Sequence, residues 1–90
     1  MTSEEKKLES ALGAAVKRAG GLSLKLWPIS FSGLPDRMVL LPGGRIKFVE
    51  VKGPGKALKP RQKIVADKLT ALGFEVYKLD NINQIDKILT

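Results

Sequence analysis

The sequence contains no cysteine and no histidine, and few aromatic residues. The absence of cysteine excludes disulfide bonds and thiolate metal sites. The absence of histidine excludes Ser–His and Cys–His catalytic pairs, histidine-ligated zinc and the most common general base. Any catalysis must therefore use Asp, Glu, Lys, Tyr or Ser, or a cation that is bound by oxygen ligands.

Long apolar runs are also missing. No stretch approaches the roughly 20 apolar residues of a membrane-spanning helix. The first ten residues, MTSEEKKLES, are charged and lack the apolar segment of a signal peptide. We therefore expect a cytosolic chain that does not contact membranes.

The composition is that of a small basic domain. The 90 residues are 43% hydrophobic, which is enough for one core and one domain over residues 1–90. The formal net charge is +7. This charge favours a polyanionic partner such as nucleic acid, although a basic domain with no such partner is the alternative.

The hydrophobic pattern predicts seven elements in the order α-β-β-β-α-β-α. Helices are predicted over 3–19, over 60–72 and in a short last segment after Asp80 or Asn81, and strands over 22–27, 36–41, 45–51 and 74–79, with a loop over 28–35. Thr2 and Glu5 form a predicted capping box, and Pro60 fits the first helical turn. The order predicts an α/β fold in which a small mixed sheet is flanked by helices.

A hairpin brings two acids together. The segment Pro42-Gly43-Gly44 predicts a turn between the second and third strands. A three-residue turn places Asp36 directly opposite Glu50 on one face, with Cβ atoms roughly 5 Å apart. A two-residue turn would instead shift the register by one and place Asp36 beside Val51.

Lys52 lies on the same face as Glu50, two residues further along the strand. Opposed carboxylates repel each other unless water, a shared proton or a divalent cation relieves the repulsion. Such a cation with a nearby lysine would suit chemistry at a phosphorus centre. The alternative is a solvated Glu50–Lys52 ion pair, with Asp36 as a turn residue. Ile46 and Phe48 precede Glu50 on its face, which favours a buried acid that needs a partner.

These residues resemble a known family. The stretch GLPDRMVLLPGGRIKFVEVKGPGKALKPRQ, with Asp36, then Glu50-Val51-Lys52, then Gln62, is similar to the VRR-NUC domain, a branch of the PD-(D/E)XK nuclease superfamily. The resemblance covers the chain from the first helix to the strand at Phe74. It implies a restriction-endonuclease-like core and hydrolysis of DNA phosphodiester bonds.

The resemblance also implies roles for individual residues. Lys52 would be the catalytic lysine, and Gln62 would orient the site, which also contains Asp36 and Glu50. The cofactor would be Mg²⁺ or Mn²⁺. Its ligands would be Glu9, Asp36, Glu50 and the Val51 carbonyl.

Basic residues follow the third strand and are predicted to contact the phosphate backbone of DNA. They are Lys56, Lys59, Arg61 and Lys63. Trp27, the one tryptophan, is interpreted as a core or edge residue rather than a platform for base stacking.

The resemblance favours a homodimeric Holliday junction resolvase, from a bacterium or a phage, because small standalone members of the family look like such enzymes. The edge strand and the apolar last helix are candidate dimer surfaces. Two alternatives remain open: a flap or single-strand nuclease with the same site, and a DNA-binding module without catalysis.

Overall fold

The structure, a computed structural model, describes residues 1–27 and 29–90. Its elements are α1 (Ser3–Arg18), β1 (Leu22–Lys25), β2 (Arg37–Leu41), β3 (Arg45–Val51), α2 (Pro60–Ala71), β4 (Glu75–Leu79), a 3₁₀ turn (Ile82–Gln84) and α3 (Ile85–Leu89). The predicted α/β order is confirmed. Pro28, the first residue of the predicted 28–35 loop, lies outside the described residues. Within the described ranges, no helix has the length and apolar character needed to cross a membrane.

The four strands form one mixed sheet in the order β1-β2-β3-β4. The β1–β2 and β2–β3 pairs are antiparallel, whereas the β3–β4 pair is parallel. A parallel pair needs a long crossover connection, and α2 lies within it. Helix α2 therefore begins close to the end of β3.

The β2–β3 register is the one that a three-residue turn requires. Leu41 pairs with Arg45 across the turn, and Arg37 pairs with Val49 at the other end of the ladder. Gly43 and Gly44 have positive φ angles of 85° and 74°, which glycine adopts without steric cost. One further step along the ladder places Asp36 opposite Glu50, as predicted.

Strands β1 and β2 are shorter than predicted at the ends that face the β1–β2 loop. β1 ends at Lys25 rather than Trp27, and β2 begins at Arg37 rather than Asp36. The last contact between them is a hydrogen bond from the Leu26 N–H to the Asp36 carbonyl (2.9 Å). Beyond it the chain leaves the sheet, so Trp27 lies in the loop. The other predicted bounds agree or differ by one residue, as helix and strand ends commonly do, except that the predicted last helix is divided into a 3₁₀ turn and α3.

The two faces of the sheet are covered differently. One face packs against α1 and α3 and forms the main core, which contains Leu8, Leu12, Ala15, Val16, Val39, Leu41, Val49, Val51, Leu79, Ile85 and Ile88. On the other face, Phe48 packs edge-to-face against Phe74 at 5.6 Å between ring centroids. Helix α2 lies over β3 and β4 on that second face and buries Val65 and Ala66. Side chains alternate along β3, so Glu50 projects toward α2.

Close packing at the end of α1 requires a glycine. The Gly21 N–H donates to the Val16 carbonyl at 2.9 Å, and the Gly20 N–H to the Lys17 carbonyl at 3.0 Å. A Cβ atom on Gly21 would lie 2.3 Å from the Leu40 carbonyl oxygen in β2. The helix end can therefore approach the sheet only if this side chain is absent.

We predict that Gly21→Ala lowers the free energy of unfolding by roughly 1–3 kcal/mol, because the new methyl group meets main-chain atoms that cannot yield easily. The control is Gly13→Ala within α1, where an added Cβ meets no atom within 4 Å. That change should raise the free energy of unfolding by about 0.5–1 kcal/mol, the usual advantage of alanine over glycine in a helix. Urea denaturation measures both. Equal stability of the two variants would contradict the packing described for Gly21.

Candidate active site

Asp36 is held at the end of the hairpin by the main chain of β3. Its Oδ2 atom accepts a hydrogen bond from the Val51 N–H at 2.9 Å. In an antiparallel pairing the N–H and C=O of one residue point to the same side of the strand. The Val51 carbonyl therefore points to the side on which Asp36 lies.

Glu50 is the buried acid of the site, with only 5% of its surface exposed. Its Oε2 atom accepts a hydrogen bond from Gln62 Nε2 at 3.0 Å, whereas its Oε1 atom is buried without a hydrogen-bond partner among the described residues. Burial, with the nearby charge of Asp36, raises the pKa of Glu50 to about 7, although the Lys52 ammonium opposes this. A buried carboxylate with one unsatisfied oxygen is suited to bind a cation.

Lys52 forms an ion pair with Glu50, with 3.5 Å between Nζ and Oε2. Both side chains are largely buried, at 11% and 6% exposure. A solvated ion pair at a strand end, the alternative drawn from the sequence, therefore does not describe this contact. The buried ammonium group lies beside the opposed acids.

Gln62 connects α2 to the acids. Its Oε1 atom accepts the Lys59 N–H at 2.8 Å, which leaves its amide group to donate to Glu50. The first contact fixes the orientation of the side-chain amide, because only the oxygen can accept. Asp36, Glu50, Lys52, Val51 and Gln62, all predicted from the sequence, therefore come together.

Glu9 does not join this cluster. Its carboxylate contacts Arg37 at 2.9 Å and Lys25 at 3.3 Å. Burial alone would raise the pKa of Glu9, but hydrogen bonds from these two cations hold it below its ordinary value. Arg37 pairs with Val49, and paired residues share a face, so Glu9 lies on the face opposite Glu50.

The metal shell predicted with Glu9 is therefore not assembled in the structure. Among residues 1–27 and 29–90, no group of three or more Asp, Glu, His or Cys side chains is close enough to share a metal ion. Glu5, one turn before Glu9 on α1, accepts the Thr2 N–H at 2.8 Å, and this hydrogen bond is the main cause of its lowered pKa. From the sequence, Glu5 was assigned only to the capping box, which the structure confirms.

The predicted DNA-binding residues surround the same end of the sheet. Lys56, Lys59, Arg61 and Lys63 are all exposed. Lys63 forms a surface ion pair with Asp67 at 3.0 Å. The Arg61 guanidinium donates to the Ser32 carbonyl at 3.3 Å, so it connects the first turn of α2 to the β1–β2 loop.

Two residues that the sequence analysis did not identify hold the loop after β3. Lys78 Nζ donates to the Lys56 carbonyl at 2.8 Å, and the Gly55 N–H donates to Asp80 Oδ2 at 3.3 Å. A hydrogen bond from Gln84 is the main cause that keeps the pKa of Asp80 below its ordinary value. Lys78 pairs with Glu50 across the parallel β3–β4 ladder and so lies on its face, a register that the alternation within β4 alone does not predict.

We predict that Glu50→Gln stabilises the metal-free protein at pH 8. Between pH 4.5 and about 7 the folded state retains a proton on Glu50 that the unfolded chain has released, so ionisation lowers stability as pH rises. The stability difference between variant and wild type should be near zero at pH 4 and roughly 1–3 kcal/mol at pH 8. Urea unfolding in the presence of a chelator measures it. A difference that does not change with pH would contradict the buried position of this charge.

Three comparisons with known proteins agree on the family. The VRR-NUC domain family matches residues 2–80. A protein named "Putative nuclease p44", from Acyrthosiphon pisum secondary endosymbiont phage 1, is 40% identical over 77 residues, which are 86% of this chain and 83% of that protein. A solved structure described as a VRR_NUC domain superposes with a TM-score of 0.89 at 31% identity, over 96% of this chain and 94% of that chain. With the opposed acids and the lysine of its site, this chain belongs to the VRR-NUC domain family of nucleases.

Proposed function

We propose that this nuclease is a Mg²⁺- or Mn²⁺-dependent endonuclease that hydrolyses phosphodiester bonds of branched DNA. The observation that supports it most directly is the unpartnered Oε1 atom of Glu50, buried opposite the Asp36 carboxylate. Two carboxylates that lie opposite each other on neighbouring strands destabilise the fold unless a positive charge lies between them. A hard divalent cation supplies that charge and accepts carboxylate and carbonyl oxygens.

The donor set fits such an ion. Asp36, Glu50 and the Val51 carbonyl would hold it, and water or substrate oxygens would complete its coordination. A bound divalent cation lowers the pKa of a coordinated water and offsets the charge of the phosphate. Lys52 adds a fixed positive charge beside the reacting phosphate, where burial makes it more effective than in water.

Gln62 acts as a positioning residue. It is held by the Lys59 N–H and donates to one oxygen of Glu50, so that the other oxygen stays free for a ligand. This arrangement keeps the Glu50 carboxylate in one orientation. The amide thereby links the start of α2 to the geometry of the acids.

DNA would approach along the exposed cations. Lys56 and Lys59 lie on the loop between β3 and α2, next to Lys52. Contacts of this kind bind phosphates without reading sequence, and they weaken steeply as salt rises. The opposed acids argue against a DNA-binding module without catalysis, because two carboxylates would repel the phosphate backbone in the absence of a cation.

Symmetric cleavage of a four-way junction requires two sites, which we propose come from a homodimer formed through β1. In α3, Ile85 and Ile88 are 5% and 2% exposed, so these two side chains belong to the core rather than to a dimer surface. β1 is an edge strand, and its Leu22 and Leu24 are 62% and 42% exposed. Exposed edge strands with apolar side chains pair readily with a second strand, and two-fold pairing is closed.

Cleavage assays test the site. Four-way junction, flap, duplex and single-stranded substrates are incubated with and without Mg²⁺ or Mn²⁺. We expect metal-dependent cleavage of the junction. Asp36→Ala should abolish cleavage while junction binding is kept or strengthened, because a carboxylate that repels phosphate is removed. Lys52→Ala should lower the rate with metal binding largely retained.

Lys59→Ala is the control variant at a predicted DNA-binding residue. It should weaken DNA binding without abolishing cleavage. Preference for flaps or single strands would favour the alternative nuclease. Cleavage by Asp36→Ala at the wild-type rate would refute the proposed site.

A double variant, Leu22→Glu with Leu24→Glu, tests the dimer. Two acids on the edge of β1 should oppose pairing of two such strands, because like charges would face each other across the two-fold axis. Light scattering should give the mass of a dimer for wild type and that of a monomer for the double variant. The control is Leu72→Glu, which changes a residue that is 74% exposed beyond the end of α2 and should leave the dimer intact. A wild-type monomer would contradict the dimer and leave the single site to act alone.

A further inference from the structure

The β1–β2 loop exposes two aromatic side chains at the end of the sheet where the acids lie. Trp27 is 69% exposed and Phe31 is 47% exposed. Of the two positions expected for Trp27, core or edge, its exposure excludes the core. Aromatic rings are the side chains that gain most from burial, so exposed rings beside a site point to a ligand that covers them.

The loop is held on both sides of the acids. On one side, the Leu26 N–H donates to the Asp36 carbonyl at 2.9 Å, directly before Trp27. On the other, Arg61 Nε donates to the Ser32 carbonyl at 3.3 Å, directly after Phe31. Both aromatic residues therefore lie one residue from a contact with the site or with the first turn of α2.

A glycine allows the second contact. Gly33 has a φ of +87°, and a Cβ atom on it would lie 2.8 Å from both the side chain and the carbonyl of Arg61. It would also lie 2.9 Å from Val65. The loop can therefore pack directly on α2 only with glycine here. The next residue of α2, Gln62, contacts Glu50.

Each ring has a cation beside it. Lys25 Nζ lies 5.9 Å from the centre of a Trp27 ring, and the Arg61 guanidinium carbon lies 5.7 Å from the centre of the Phe31 ring. Aromatic rings interleaved with cations are typical of surfaces that bind single-stranded nucleic acid, where bases stack on the rings and phosphates meet the cations.

We propose that Trp27 and Phe31 stack on bases whose stacking is interrupted at the branch point of the substrate, so that the loop selects branched or single-stranded DNA over continuous duplex. Bases within a duplex are already stacked on each other and offer no free face. The proposal rests on the proposed nuclease function, since the rings lie beside its acids, but it concerns binding rather than hydrolysis.

The test uses the fluorescence of Trp27, which is the one tryptophan in the chain. An unlabelled single-stranded oligothymidine is titrated into the protein in the presence of a chelator, so that no cleavage takes place. We expect quenching of the tryptophan emission that saturates with binding, and much weaker quenching by a blunt duplex of the same length. Binding is measured in parallel from the anisotropy of a labelled oligonucleotide.

Variants separate stacking from charge. Trp27→Ala should weaken single-strand binding by roughly 5- to 100-fold, the loss expected when one base–aromatic stack is removed. Trp27→Phe should restore most of this affinity, whereas Leu72→Ala, an exposed apolar residue elsewhere, should bind as wild type does. With Mg²⁺ or Mn²⁺, Trp27→Ala should lower the ratio of junction to duplex cleavage.

The outcomes distinguish this proposal from the proposed function. Oligonucleotide binding without quenching, or with equal quenching by duplex, would overturn the stacking while cleavage remains. Quenching without any cleavage would overturn the nuclease proposal and leave the stacking intact. An emission maximum that shifts on dimerisation in the absence of DNA, with no further change when the oligonucleotide is added, would instead place Trp27 in a contact between copies of the chain and would also overturn the stacking.

Discussion

Two carboxylates held opposite each other at the open end of a hairpin are the constraint on which the site depends. The turn at Pro42-Gly43-Gly44 fixes the β2–β3 register, and the Val51 N–H holds Asp36 beside Glu50. These contacts come from the main chain, so they persist although the two charges repel each other. Burial and, after it, the charge of Asp36 raise the pKa of Glu50, and the packing of the opposite face of the sheet offsets the cost of this arrangement.

The rest of the fold brings supporting groups to the same end of the sheet. The crossover from β3 to β4 places the start of α2 over Glu50, where the Gln62 side-chain amide donates a hydrogen bond to one carboxylate oxygen of Glu50. β4 runs parallel to β3, so its own end contributes Lys78 and Asp80 to the loop that follows Lys52. The polar contacts of the site therefore follow from strand direction and from the position of α2 rather than from a separate motif.

Much of this could be predicted because the signals are local. The glycine-rich turn and the alternation of β3 give the register and the face of Glu50, and helical spacing gives α1 and α2. The long-range choices could not be predicted. Helical spacing places Glu9 on the flank of α1, but it does not show that Lys25 and Arg37 approach from the sheet. The exposure of Trp27 was missed because nothing in the sequence shows that β1 ends two residues before it.

Pairing through β1 would have a geometric consequence for the two sites. A two-fold axis that joins two antiparallel edge strands into one sheet is perpendicular to that sheet, so it leaves both copies of the α2 face on the same side. From β3 of one copy to β3 of the other there are five strand spacings, or about 24 Å at 4.8 Å each. Both pairs of acids would then face one substrate from the same side. Because each aromatic loop begins at the end of its own β1, the same strand would set both the distance between the two sites and the positions at which bases of the branch point are bound.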